Sequence, residues 1–513
     1  MALWRSTFIV SAMTMLSRVL GLVRDMVLLN VFGAGKDFDT FVVAFRIPNF
    51  FRRLFAEGAF SQAFIPVLTE YKTTKLHAEV QILISRVFGC LLIVMSILTL
   101  VSMIIAPVIL YAYAPGFHND PAKFDLAVDM FRLTIPYLMF MSLTAFASSI
   151  LNSYGSFASP AFSPVLLNIA MIAGAWWLSP YLAQPIMALG WAVVIAGILQ
   201  LAIQVPELWK KKLLIPPKVD FKHEGVDRIL KLMLPALFGV SVTQINLLLN
   251  TIWASFMQDG SVSWLYSAER MTELPLGLIG VAIGTVILPS LSMSKAEQDQ
   301  AKFRKMLDWA ARVIVLVGVP ASIALFMLST PIIQALFQRG AFDVHDTQMT
   351  AMALQCMSGG VLAFMLIKVF APGFYAMQDT KTPVRVGLMA VAANAILNII
   401  FIGFFRFIDW QAEHIALAIA SSGSALVNAG MLYFYLHKRD IFRFGAHWKK
   451  LFVQFSIANI AMVAALCYAM TWYNGEVSQW IRILEVLGLC IVGVVAYGIA
   501  LLAAGFRPRH LKH

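Results

Sequence analysis

Residues 44–68 read AFRIPNFFRRLFAEGAFSQAFIPVL, and this stretch decides the fold because a related one recurs in the second half of the chain. Residues 268–291 read AERMTELPLGLIGVAIGTVILPSL. Both open with Ala-x-Arg and close with Ile/Leu-Pro-x-Leu after nearly the same interval. A second pair of segments, residues 153–168 and 375–394, is also alike. Self-similarity of this kind predicts a chain built from two related halves.

The composition around these repeats is that of a membrane protein. Apolar residues make up 60% of the chain and charged residues 13%, against about 45–50% and about 25% in soluble domains. The apolar runs are long and continuous, which favours helices that satisfy their own backbone hydrogen bonds in lipid. We therefore predict an all-α polytopic membrane protein with about 14 transmembrane helices. The predicted spans are 3–30, 38–70, 80–113, 123–152, 160–179, 185–207, 227–256, 262–290, 303–328, 346–376, 384–404, 413–436, 448–473 and 480–505.

The loops between these spans differ in charge on the two sides. Connections that follow odd-numbered spans carry almost no Lys or Arg, whereas most connections that follow even-numbered spans are basic, as is the C-terminal tail. The positive-inside rule then predicts that both termini face the cytoplasm. It also accounts for most of the net charge of +12, so nucleic-acid binding is not expected.

The repeats divide the chain into two pseudo-symmetric six-helix lobes followed by two further helices. We predict an N-lobe over residues 1–215, a C-lobe over residues 216–437, and a final segment over residues 438–513. The basic, proline-containing stretch 210–222 is the predicted linker between the lobes. Parallel repeats of this kind build transporters whose substrate site lies between the two halves.

Charged residues within the spans are the candidate functional residues, because ionisable groups inside a membrane are costly and usually face a cavity. They are concentrated on the first, second and eighth spans, with one more on the tenth. The candidates are Arg18, Arg24, Asp25, Asp39, Arg52, Arg53, Glu57, Glu269, Arg270, Glu273 and Lys368.

The arginines among them suit a phosphate-containing headgroup. A guanidinium group is always charged and presents a rigid fork that matches phosphate oxygens. A cavity lined by Arg18, Arg24, Arg52 and Arg270 would therefore suit a pyrophosphate. The carboxylates could hold these arginines when the cavity is empty, carry protons or bind a cation. A purely structural alternative is that each arginine locks helices together through a carboxylate or reaches to the interface.

Other motifs argue against catalysis. The chain has no P-loop, its four cysteines lie far apart, and its histidines match no metal-ligand spacing. No arrangement of Ser, His and Asp or of paired carboxylates suggests an enzyme. We therefore expect a transporter that needs no cofactor.

At these residues the chain resembles a known family. Residues 17–25, 32–71, 262–292 and 368–384 are similar to the MurJ (MviN) lipid II flippase family of the multidrug/oligosaccharidyl-lipid/polysaccharide (MOP) exporter superfamily. The resemblance covers essentially the whole chain. It implies a multi-pass protein of the bacterial inner membrane with a role in cell-wall synthesis and cell shape. Its expected activity is translocation of undecaprenyl-pyrophosphate-linked peptidoglycan precursor from the inner to the outer leaflet by alternating access.

The resemblance also assigns roles to residues. It implies substrate binding by Arg18, Arg24, Arg52 and Arg270, a role for Asp39, and a groove for the lipid tail beside the last two helices. Glu269 stands where relatives commonly have Asp. The seventh span lacks the carboxylate with which some members couple transport to sodium, so coupling to the membrane potential or to protons is favoured. The expected partners are lipid II, membrane lipids and peptidoglycan-synthesis proteins, and the expected state is a monomer.

Three rival functions stay open at this point. A related exporter could carry another lipid-linked glycan, although a carrier of cationic drugs would need a cavity dominated by carboxylates. A membrane enzyme acting on a polyprenyl phosphate would place its catalytic groups near a membrane surface. A scaffold for cell-wall enzymes would tolerate loss of the arginines.

Overall fold

The chain folds into helices throughout the part that is described. A computed structural model describes residues 2–52, 60–445 and 447–507, and no strand occurs among them. The contacts divide the chain into two compact units, Met1–Val262 and Ser263–His513. The predicted all-α class is confirmed. The predicted lobe boundary at residue 215 and the separate role of residues 438–513 stay predictions.

The first unit contains eleven of the helices that we number in chain order, and the twelfth begins at its end. These are α1 Ala2–Phe32, α2 Lys36–Arg52, α3 Phe60–Thr74, α4 His77–Ile104, α5 Ala106–Tyr113, α6 Pro121–Thr134, α7 Pro136–Ser153, α8 Ala158–Ala173, α9 Met187–Ala202, α10 Val205–Lys210, α11 Glu224–Ala254 and α12 Ser261–Pro275. Helix α1 packs on α8, α8 packs on α9, and α2 packs on α6.

The second unit continues with eight helices of mostly greater length. These are α13 Val281–Ala296, α14 Gln300–Met327, α15 Ser329–Phe337, α16 Val344–Ala376, α17 Lys381–Phe407, α18 Ile415–Lys438, α19 His447–Met470 and α20 Gln479–Ala503. Helix α16 packs against both α14 and α18, α17 packs on α18, and α19 pairs with α20.

Ten helical segments in the described residues are long and apolar enough to cross a membrane. They correspond to the third to sixth and the ninth to fourteenth predicted spans. The other four predicted spans also coincide with helices, namely α1, the pair α2 and α3, α11, and the pair α12 and α13. Three of these four carry the charges singled out above. The count of 14 therefore stays a prediction.

Prolines explain where several of these spans are interrupted. Pro136 begins α7 two residues after α6 ends at Thr134, so that one span, Pro121–Ser153, is built from two helices. Pro275 ends α12, and the next residues, Leu276–Gly280, form a wider π-helical turn before α13 begins. Proline lacks the N–H that the helical ladder needs, so the backbone must change its pitch there.

The basic stretch 210–222, predicted as a linker, belongs to the first unit and lies along α4. Its Pro216 carbonyl accepts a 2.6 Å hydrogen bond from the Ser85 hydroxyl of α4, and the Lys218 N–H donates to the Ser85 carbonyl at 3.1 Å. Gly89, one turn further along α4, allows this contact, because a Cβ there would collide with the backbone of Lys218. The linker is therefore held along a helix rather than extended into solvent.

Candidate functional site

The end of α1 holds a buried ion pair. Arg24 and Asp25 are only 6% and 3% exposed. The Arg24 Nε and Nη2 atoms both donate to Asp25 Oδ1, at 2.9 and 2.6 Å. Arg18 lies earlier on the same helix and is exposed. Of the predicted arginines of α1, Arg24 is therefore the one that packing holds in a fixed position.

Asn168 of α8 completes the surroundings of Arg24. Its Oδ1 atom accepts a 3.0 Å hydrogen bond from Arg24 Nη1, and its Nδ2 atom donates to the Ser17 carbonyl at 3.0 Å. Gly21 faces this amide across the contact between α1 and α8. Asn168 is not among the predicted site residues. A lone amide in an otherwise apolar span was the available signal, since a buried amide needs partners.

A second buried charge cluster surrounds Asp39 at the start of α2. Lys123, 4% exposed, places its Nζ atom 3.4 Å from Asp39 Oδ2 and 2.6 Å from Asp259 Oδ1. The Gly260 N–H donates to Asp39 Oδ2 at 2.8 Å. The Lys123 ammonium also lies 4.2 Å from the centre of the Phe117 ring. These contacts tie the starts of α2 and α6 to the loop before α12.

Lys123 is not among the predicted site residues, although residue 123 begins the fourth predicted span. Lys123 lies in the first turn of α6, where the helix dipole disfavours a cation. A buried lysine in that position needs a nearby carboxylate to offset the unfavourable interaction with the helix dipole. Here that carboxylate is Asp39, from a segment 84 residues earlier in the chain.

Replacing Lys123 by Met should destabilise the protein by about 3 kcal/mol, because it removes a cation from the nearly fully buried Asp39. Titration of the purified protein in detergent micelles with SDS measures this change. Lys36→Met is the matched control. Lys36 pairs with Asp120 at 2.5 Å, but both side chains are over one-third exposed, so no measurable change is expected. Equal stability of the two variants would contradict a structural role for the Lys123 contacts.

Of the remaining predicted charges of the second span, only Arg52 lies within the described residues. Arg52 is half-buried, and its Nε atom donates to Asn49 Oδ1 at 2.9 Å. Arg53 and Glu57 lie outside the described residues, so their predicted roles stay predictions. Arg46, a further arginine of α2, is buried and donates to Thr251 Oγ1 of α11 at 2.7 Å, a contact that joins the two helices.

Arg270 of α12 is the predicted substrate-binding arginine of the second unit. Its Nη1 atom donates to Glu273 Oε2 at 3.1 Å, and its Nη2 atom donates to the Tyr266 hydroxyl at 3.1 Å. The guanidinium also lies over the Tyr266 ring, 5.0 Å from its centre. The Arg270 side chain keeps 30% of its surface exposed. Arg270 is thus oriented but still accessible to a ligand.

The other two predicted charges of this unit lie near the same segment. Glu269 is half-buried beside Arg270, and Lys368 of α16 is exposed. The methylene chain of Lys368 passes close to Gly280, at the end of the π-helical turn that follows α12. Turns of this kind are frequent at functional sites.

These residues can bind an anion but offer no catalytic arrangement. Within the described ranges, no group of three or more His, Cys, Asp or Glu residues could hold a metal ion. Arg24 and Arg270 both have oriented guanidinium groups with several N–H donors, which suits phosphate oxygens. Binding without covalent chemistry is the use that these side chains support.

Comparison with known proteins gives one family. The profile described as "Lipid II flippase MurJ" matches residues 28–490. The "Probable lipid II flippase MurJ" of Vibrio cholerae is 43% identical, over 99% of this chain and 98% of its own length. The "Lipid II flippase MurJ" of Burkholderia cenocepacia is 39% identical, over 100% and 99%.

Solved structures agree with this result. A lipid II flippase MurJ in an inward closed conformation superposes with a TM-score of 0.78 at 26% identity, covering 96% of this chain and 98% of that one. An inward-facing multidrug resistance MATE family transporter of the MOP superfamily gives 0.67 at 12% identity, covering 84% and 97%. The second match shows a shared fold only.

Proposed function

The chain belongs to the lipid II flippase MurJ family, and from this premise we propose that it moves lipid II from the inner to the outer leaflet of the bacterial cytoplasmic membrane. Lipid II here means the undecaprenyl-pyrophosphate-linked precursor of peptidoglycan. The matched proteins are flippases and transporters, so the chain is a multi-pass membrane transporter and not an enzyme. The basic loops support the orientation with both termini in the cytoplasm.

One observation carries the substrate assignment, namely the buried guanidinium of Arg24 held by Asp25 and Asn168. Burying a charge in a membrane protein is costly, so its retention points to a ligand of opposite charge. A pyrophosphate presents several oxygens to such a fork. Before this ligand binds, carboxylates can form ion pairs with the arginines, as Asp25 does with Arg24.

The proposed mechanism is alternating access. Arg18, Arg24, Arg52 and Arg270 bind the pyrophosphate while the polyprenyl tail stays in lipid, beside residues 438–513. The lobes 1–215 and 216–437 then rock and expose the headgroup on the other side. The charges Asp25, Asp39, Arg53, Glu57, Glu269, Glu273 and Lys368 hold or release the arginines during this cycle.

Energy for the cycle comes from the membrane potential or an ion gradient, with no cofactor. A charge that crosses the membrane contributes about 2.3 kcal/mol per 100 mV. We propose that the protein works as a monomer and meets peptidoglycan-synthesis proteins in the membrane.

Depletion of the protein tests this function directly. A toxin that cleaves lipid II is added from the periplasmic side, and the released headgroup is counted. We expect release to fall on depletion and to return with the wild-type chain but not with Arg18→Ala. Unchanged release after depletion would assign lipid II translocation to another protein and leave this chain with a different lipid-linked glycan.

A further inference from the structure

A polar cleft of about 640 Å³ lies in the second unit, apart from the charges of α12. It is formed where α13, α16 and α18 end and α14 begins. Its volume falls in the range of small-molecule pockets, about 300–1,000 Å³. Three cationic and two anionic side chains line it, namely Lys295, Arg304, Arg439, Asp299 and Asp440.

The two arginines of the cleft are held in place by groups around it. Arg304 Nη2 donates to the backbone carbonyl of Asp440 and, at 3.0 Å, to its Oδ2 atom. Arg439 donates to Asp379 Oδ2 at 2.7 Å and to Thr382 Oγ1 at 2.9 Å. Burial raises the pKa of Asp379, but hydrogen bonds from Thr382 and Arg439 outweigh this and lower it to about 2. These bonds use only part of the five N–H donors of each guanidinium.

Two residues that line the cleft adopt a backbone conformation usually reserved for glycine. Gln298 and Asp440 have φ angles of 57° and 55°. Each follows the end of a helix, where glycine is the most favourable residue. Glycine would remove their polar side chains from the cleft.

The cleft lies beside an aromatic cluster. Ile441 lines the cleft, and its neighbour Phe442 contacts Phe444 with ring centres 5.2 Å apart. Phe444 in turn lies 4.7 Å from both Tyr433 and Trp448. Clusters of Trp and Tyr are typical of the boundary between membrane and water. A ligand in this cleft would thus be reachable from the level of lipid headgroups.

We propose that this cleft binds the headgroup of a phospholipid that carries both a phosphate and a primary ammonium group. Lys295, Arg304 and Arg439 provide donors to the phosphate oxygens. Asp299 already accepts from the Lys302 N–H at 2.8 Å, and Asp440 pairs with Arg304 and, at 3.2 Å, with Arg443. The ammonium adds a donor to the lone pairs that these two carboxylates keep. A cleft with both signs of charge suits a zwitterion better than a plain anion. The same chemistry could come from a soluble phosphoamine, and the test separates the two sources.

The test measures lipid retention by native mass spectrometry of the full chain in detergent. The probes are phosphatidylethanolamine, phosphatidylcholine, whose quaternary ammonium has no N–H donor, and phosphatidylglycerol, which has no ammonium. Soluble glycerophosphoethanolamine and inorganic phosphate are added as competitors. We expect phosphatidylethanolamine to be retained best. Efficient competition by glycerophosphoethanolamine would support the recognition chemistry and assign the site to a soluble ligand.

Variants assign the binding to the cleft. Lys295→Gln and Arg304→Gln should each weaken retention of phosphatidylethanolamine on the order of tenfold, because each removes a charged donor. Lys295 is exposed, so its replacement cannot disturb packing. Lys450→Gln, an exposed cation of α19 outside the cleft, is the control. Asp440→Asn keeps a residue that tolerates the left-handed conformation and should reduce the preference for ethanolamine over choline.

Two results would overturn the proposal. One is equal retention of the three lipids by the wild-type chain. The other is retention by Lys295→Gln and Arg304→Gln that matches Lys450→Gln.

Discussion

Replacing Arg270 by Ala is expected to abolish translocation of lipid II while leaving the protein folded and inserted. This guanidinium donates to Glu273, which is exposed, and to the hydroxyl of Tyr266, which is half-buried. Its loss therefore removes a phosphate donor in a position that solvent already reaches. The rate of periplasmic exposure of lipid II should fall by more than about tenfold.

The matched control for this variant lies in the same unit. Arg406 pairs with Glu413 at 3.2 Å, close to the 3.1 Å between Arg270 and Glu273, and it too is solvent-accessible. Arg406→Ala should support normal toxin-dependent release. Arg270→Lys keeps the charge but loses the planar fork, so an intermediate rate is expected. Normal release by Arg270→Ala would remove this residue from the mechanism.

The second large effect is expected at Arg24. Arg24→Met removes the cation bonded to the buried Asp25 and should lower the free energy of unfolding by about 3–5 kcal/mol. The same SDS titration in micelles measures this loss. A destabilised variant would also fail to translocate lipid II, so this variant alone cannot separate binding from folding.

The double variant Arg24→Met, Asp25→Leu separates the two roles. Removing both charges from a buried pair is often close to neutral for stability. We expect this chain to regain most of the unfolding free energy but to remain unable to expose lipid II. Recovery of both properties would show that the pair only locks helices.

Asn168 provides a milder version of the same test. Asn168→Leu keeps the branched shape of the side chain but removes the acceptor for Arg24 Nη1, at a cost of about 2 kcal/mol. Translocation should be reduced rather than lost, because Asp25 still holds the other face of the guanidinium.

The sequence by itself determined the all-helical membrane class and the family. Long apolar runs commit a segment to a helix in lipid whatever its neighbours are, because the backbone must bond within the segment. Charges placed inside such runs could also be recognised without a structure, as for Arg24 and Arg270. The composition of one segment is enough to predict a membrane helix and to recognise the charges within it.

Only the tertiary structure decided which partners these charges have. Asn168 reaches Arg24 across 144 residues of chain, and Lys123 reaches Asp39 across 84. The cleft of the second unit likewise depends on loops that follow three different helices. Local patterns of hydropathy and charge set which segments are helical, but the pairing of distant side chains follows from how those helices pack. Packing, not composition, therefore selected the residues around each buried charge.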